Sequence, residues 1–184
     1  MKILMTGHTS PIGSVLFEYL KQKHTIVGIS RSTGYDLNKL EDIQRVVEQS
    51  VNYEHFINLS HVGNAQIQLL MSIHKKWSET NKTGKIITFG TLGTELSEDV
   101  LKQVGVDLNY IKQKMHLENV HRFLSVKTPF GIQPQSVLIR ILNYGEKNGV
   151  RQGEPSCDTQ DITRIIDTVL NEPLYISSID IRKI

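Results

Sequence analysis

Three tyrosines in this sequence stand four residues ahead of a lysine: Tyr19/Lys23, Tyr35/Lys39 and Tyr110/Lys114. On a helix that spacing puts the two side chains one turn apart. The lysine ammonium then lowers the pKa of the phenol and lets it give and take a proton near neutral pH. With 6 tyrosines and 14 lysines in 184 residues, chance alone supplies roughly half of one such pair, so position has to choose among them. Tyr19/Lys23 falls far along the first helix, and Tyr35/Lys39 straddles a loop and a helix start. Only Tyr110/Lys114 lies on a helix that follows a strand ending in a hydroxyl side chain, Thr91. It is the one catalytic candidate of the three.

Anion chemistry points to a different stretch. The apolar run Ile3-Leu4-Met5 leads into Thr6-Gly7-His8-Thr9-Ser10-Pro11-Ile12-Gly13 and then into a helical pattern. Gly7 can adopt the backbone angles of a tight turn, and Gly13 lets a helix pack close to a strand. Ser10 suits the N-cap and Pro11 the first helical position, so the helix starts at Ser10-Pro11 with its N–H groups and dipole facing an anion. From these residues alone a dinucleotide cradle and a ligand-free strand–helix corner are both open. The second strand ends in Ser30-Arg31-Ser32, which offers a guanidinium, two hydroxyls and no carboxylate. A 2′-phosphate asks for that set and a free ribose does not, which favours NADP(H) over NAD(H). The 7 histidines form no zinc spacing, so no metal site is expected, and the single Cys157 has no histidine partner by spacing.

These groups need a scaffold, and hydrophobic periodicity supplies one. Strands are expected at 2–5, 25–30, 55–60, 85–90, 137–142 and 175–181, with a rudimentary strand at Asp36-Leu37. Helices are expected at 11–23, 38–50, 64–79, 107–124 and from Asp158 or Thr159 to 170, with a loop from Thr91 to about Gly105. Strand and helix alternate throughout, so residues 1–184 read as one α/β domain, a doubly wound parallel sheet in a three-layer α/β/α arrangement. Ligands in such a sheet lie beyond the carboxyl ends of the strands, which singles out Ser60-His61 and Asn143-Tyr144 as well. A net charge of +2 gives no reason to expect nucleic acid or an anionic membrane. No apolar run is long enough to span a bilayer, and the lone cysteine is compatible with the cytoplasm.

The order of parts resembles the short-chain dehydrogenase/reductase family over nearly the whole chain. "TGHTSPIG" is similar to its Thr-Gly-x-x-Gly-x-x-Gly turn, with Ser10 in place of the middle glycine; on the family's alternative template the missing glycine falls at Pro11. "YDLNKLEDIQRVV" looks like the segment in which Asp36 meets the adenine amino group and Leu37 packs on the ring. "HFINLSH" resembles the family's Val-Ile-His-Leu-Ala-Ala strand. "IITFGTLG" puts Thr91 at the position of the catalytic serine, and Tyr110 and Lys114 match Tyr-x-x-x-Lys. Asn64 falls where the family keeps an asparagine that supports the lysine through water. The family's Pro-Gly becomes Tyr144-Gly145, and Gly145, Gly149 and Gly153 offer hinges for a lid.

The resemblance implies a Rossmann-type fold and hydride transfer between NADP(H) and a small carbonyl or alcohol. Tyr110 would be the acid in reduction, Lys114 would hold the nicotinamide ribose, and Thr91 would orient the substrate oxygen. The cofactor would lie along Thr6, Gly7, Thr9, Ser10, Pro11, Ile12, Gly13, Ser30, Arg31, Ser32, Asp36, Leu37, Ser60 and His61. The family's habit of pairing the tyrosine helix with its symmetry mate implies a homodimer. A catalytically silent NAD(P)-binding sensor or partner protein of the same fold is the rival reading, favoured by Ser10, Pro11 and the short C-terminal part.

Overall fold

The apolar runs become parallel strands: β1 Lys2–Thr6, β2 Thr25–Ile29, β3 His55–Asn58, β4 Lys85–Thr91, β5 Gln135–Ile141 and β6 Ser178–Ile181. The computed structural model describes residues 1–127, 134–141, 158–173 and 175–182. The strands form one sheet in the order β2-β1-β3-β4-β5-β6. Between them run the helices α1 Pro11–Lys21, α2 Leu40–Ser50, α3 Ala65–Glu79, α4 Glu98–Gln103, α5 Leu108–Lys127 and α6 Thr159–Asn171. The chain is a single α/β domain with a Rossmann-like, doubly wound sheet. Among the described residues, no helix is long and apolar enough to cross a membrane.

Alternation along each strand feeds two cores. Ile3, Met5, Ile57, Ile87 and Ile139 meet Leu16 and Leu20 of α1 and Ile166 and Val169 of α6. Leu4, Phe56 and Ile86 face the other way, onto Val46 of α2, Leu70 and Trp77 of α3 and Leu117 of α5. Trp77 is fully buried, and its indole N–H donates to Ser50 Oγ at 2.9 Å, so the largest side chain of this core hides no unpaired donor. At the start of β4, Lys85 Nζ donates to the carbonyls of Val169 and Glu172 and so closes the C-terminal end of α6.

Several starts match their chemical signals. Ser10 caps α1 with Pro11 in the first turn, Asp107 Oδ1 accepts from Asn109 N at 2.9 Å just ahead of α5, and Asp158 opens α6 in a reciprocal capping box with Asp161. Two expectations fail. Asp36-Leu37 is no strand: Asp36 Oδ1 accepts from Asn38 N at 3.1 Å in a local turn, and Leu37 drops into the core. The expected loop after Thr91 holds a 3₁₀ turn, Leu92–Glu95, and then α4, capped by Ser97 with Glu98 and Asp99 in its first turn. Leu142, Asn143, Tyr144, Gly145, Gly149, Gly153 and Cys157 lie outside the described residues.

Candidate active site

The sheet order reverses at β1, whose neighbours are β2 on one side and β3 on the other. In sheets of this kind the ligand crevice opens at such a point. Gly7, the residue after β1, has φ +76°, and a Cβ on it would come within 2.7 Å of Ser60 N. The turn therefore lies directly against Leu59 and Ser60, the two residues that follow β3. A Cβ on Gly13 would meet Gly7 O at 1.9 Å, so the first turn of α1 rests on the glycine turn with no room for a side chain. Ser10 does not need to be glycine, because its φ is −75°. Its hydroxyl turns inward, donating to Gly7 O at 2.8 Å and accepting from Gly13 N at 3.1 Å.

The N–H inventory of this turn shows what it offers an anion. Pro11 has none, Gly13 N is held by Ser10 Oγ, and Ser14 N is held by Ser10 O at 2.8 Å. Ile12 N–H is left as the donor of the first helical turn. Thr9 and Pro11 are exposed beside it. His8 was not among the expected site residues. Its ring lies where a Cβ on Gly28 would have to go, 5.0 Å from the ring of Phe17, and its Nδ1 is buried without a partner.

At the end of β2, Ser30 Oγ and Ser32 Oγ stand 2.7 Å apart in an exposed 3₁₀ turn that also carries Arg31. Thr33 Oγ1 accepts from Ser30 N at 2.9 Å and fixes this turn. The Asp36 carboxyl is held below its usual range by Asn38, with Lys39 and Arg31 adding to the effect.

The catalytic candidates converge. The inner face of α5 carries Ile111, Lys114, Leu117 and His121, two of them polar where an amphipathic helix would be apolar. Lys114 is 4 % exposed, and burial lowers its pKa to about 8, against a smaller upward pull from Glu118. Its Nζ lies 5.5 Å from the centre of the Tyr110 ring. Tyr110 is half-buried; burial raises its pKa, and hydrogen bonding with the Thr91 side chain opposes the rise. Thr91 Oγ1 also makes a long bond to Ile141 O at 3.4 Å.

Beyond Thr91, Arg140 forms a bidentate pair with Asp180 at 2.8 and 2.6 Å and reaches Glu95 at 2.9 Å. This ties the turn after Thr91 to β5 and β6. His61 meets Tyr110 edge-on, with ring centres 4.8 Å apart, and burial followed by the Lys114 charge keeps its pKa low.

Asn64 is exposed at the N-cap of α3 and makes no capping bond. The side chain that holds the lysine is Gln66, two residues on, whose Oε1 accepts from Lys114 Nζ at 2.7 Å. Leu37 is buried in the α2–α3 core. The other two tyrosine–lysine pairs have structural partners. Tyr19, Lys23 and Asp167 form a triad that joins α1 to α6, and Tyr35 donates to Gln49 Oε1 at 2.9 Å beneath Arg45.

No protein-family model matches the chain, and no curated protein matches it in sequence. Solved structures do match. The 3-alpha-hydroxysteroid dehydrogenase from Pseudomonas sp. B-0831, complexed with NADH, aligns over 98% of this chain and 95% of its own, with TM-score 0.74 and 14% identity. A short chain dehydrogenase from Burkholderia cenocepacia J2315, in complex with NADP, aligns over 99% and 88% with TM-score 0.74 and 11% identity. The protein lin1944 from Listeria innocua aligns over 99% and 100% with TM-score 0.69 and 16% identity. The fold is that of the short-chain dehydrogenases. At these identities the likeness is one of fold.

Proposed function

We propose that the protein is an NADP(H)-dependent oxidoreductase, acting in the cytoplasm on a small carbonyl or alcohol. The observation that carries the reading is the convergence of Thr91, Tyr110 and a buried Lys114 at the same end of the parallel sheet as the glycine turn, with β3 between them. The turn fits a pyrophosphate: Gly13 admits no side chain, and Ile12 N–H is left to donate. Arg31 with the Ser30 and Ser32 hydroxyls suits a 2′-phosphate. When bound, the cofactor supplies or takes up the hydride.

The residues of the chain do the rest. Burial keeps the Tyr110 phenol protonated, as an acid for carbonyl reduction must be, and Thr91 shares in holding the substrate oxygen. Lys114 spends two of its three N–H donors on Gln66 and Phe89 O, at 2.7 and 2.9 Å, which leaves the third for a ribose hydroxyl. The apolar groove between α3 and α5, with Met71, Val120 and Phe123 along it and a volume of about 710 Å³, supports a homodimer.

Thermal-shift titrations with NADPH and NADH test the reading. A ligand at 100 times its Kd adds about 2.7 kcal/mol, so a clear rise with NADPH and a smaller one with NADH is expected. Turnover on a carbonyl panel should vanish in Tyr110→Phe. No shift with either cofactor would refute the proposal; binding without turnover would leave a silent NAD(P)-binding protein.

A further inference from the structure

Gln66 sits at the centre of a closed hydrogen-bond network that local sequence patterns do not reveal. Its Oε1 accepts from Lys114 Nζ at 2.7 Å, and its Nε2 donates to Asn58 O at 2.9 Å and to Phe89 O at 3.0 Å. Its backbone carbonyl accepts from Asn58 Nδ2 at 2.8 Å, and Asn58 Oδ1 faces Thr6 Oγ1 at 3.5 Å. Thr6 Oγ1 in turn accepts from Ser60 N at 3.4 Å. The chain of contacts thus runs from the glycine turn, through β3 and α3, to the lysine on α5. Thr6, Asn58, Gln66 and Lys114 are all buried.

The orientation of the amide is determined by these partners. Turned over, it would set its NH₂ against an ammonium and its oxygen against two carbonyls. As it stands, every polar atom of the Gln66 side chain is used, and an amide carries no charge. Lys114 is therefore held by two neutral acceptors, Gln66 Oε1 and Phe89 O, neither of which neutralises its charge, and Glu118 on the same helix exerts only a smaller pull. The ionisable groups facing it are Tyr110 and Glu118 on its own helix and His61 after β3; α3 and β4 present the Gln66 amide and the Phe89 carbonyl.

We propose that Gln66 is a positioning residue that clamps the Lys114 ammonium by a neutral amide, keeping its full charge available to Tyr110 and to the ribose of a bound cofactor. The inference rests on the oxidoreductase reading for the meaning of that charge, but the clamp itself is testable without turnover. A carboxylate at position 66 would pair with the ammonium and favour its charged form, while an apolar side chain would leave it more desolvated and favour its neutral form.

The test is the titration of Lys114, followed by NMR through its ¹³Cε shift in lysine-labelled protein and assigned by its loss in Lys114→Arg. Gln66→Glu is expected to raise the midpoint by about one pH unit or more and Gln66→Met to lower it by a similar amount. A residue that served only to fill space would give two variants with lowered thermal stability and no opposed shifts. Unmoved or same-direction midpoints in the folded variants overturn the proposal. If Gln66→Met does not fold, the Gln66→Glu shift decides alone. The alkaline limb of NADPH-dependent turnover should move with the midpoints. Absence of turnover in the wild type would count against the oxidoreductase reading, and the NMR titration would still decide the clamp.

Discussion

Replacing Gly13 by alanine sets two physical effects against each other. Gly13 lies in the first turns of α1, and alanine has the higher helix propensity by about 1 kcal/mol, so propensity alone predicts a stabilised protein. Packing predicts the reverse. The new Cβ would fall 1.9 Å from Gly7 O, 2.8 Å from Gly7 C and 2.8 Å from Ser10 Oγ. Ordinary contact needs more than 3 Å to the first of these, and that atom is backbone, so no side chain can swing aside. The start of α1 has to withdraw by more than 1 Å from the turn, which also stretches the two Ser10 hydroxyl bonds of 2.8 and 3.1 Å.

Overpacking of this kind costs about 3 kcal/mol, and a weakened N-cap adds about 1. Set against the propensity gain, the expected net loss is about 3 kcal/mol, or roughly 6–12 °C in Tm for a chain of this size. Urea unfolding should show a lower midpoint at unchanged slope. NADPH affinity should fall at least tenfold as Ile12 N–H leaves its place. A Gly13→Ala protein as stable as the wild type would refute the close contact on which the cradle rests.

Further expectations concern the same fold. Ser10→Ala should lose about 1 kcal/mol and Ser10→Gly only a few tenths, because alanine leaves the cap unmade while glycine is tolerated there; the reverse ranking in urea midpoints would show that Ser10 is not the cap. Burial lowers the pKa of His55 and His121 to about 4, so both stay neutral in the folded state while the unfolded chain protonates them near 6.5. Stability is therefore lost as pH falls from about 6.5 towards 4, by about 2 kcal/mol for each histidine at pH 5. The pH dependence of the urea midpoint should flatten in His121→Asn, and an unchanged slope would remove that residue from the account. Tyr19→Phe should leave cofactor binding and turnover intact, since Tyr19 faces Asp167 across α1 and α6, whereas Tyr110→Phe abolishes turnover.

Local signals in the chain were sufficient for the six strands and the long helices of the scaffold. The alternation of apolar runs specified a parallel sheet, and Ser10-Pro11, Asp107 and Asp158 marked helix starts, because a cap acts within one turn of itself. The α4 start at Ser97-Glu98-Asp99 carries the same signal, but a helix of 6 residues is too short for apolar periodicity to set it apart from a loop. The position of Tyr110/Lys114 after a strand ending in Thr91 was legible for the same reason: strand ends and helix starts are local features.

Tertiary structure decided what local signals cannot encode. Asn64 and Gln66 are two residues apart, but two residues turn a helix by about 200°, so one faces solvent and the other reaches Lys114 across 48 residues of sequence. The pairing of His8 with Gly28 and the contact of Gly13 with Gly7 O depend likewise on how α1 seats against β1 and β2. The residue types at these positions set out what chemistry is possible; only the packed sheet determines which of them meet.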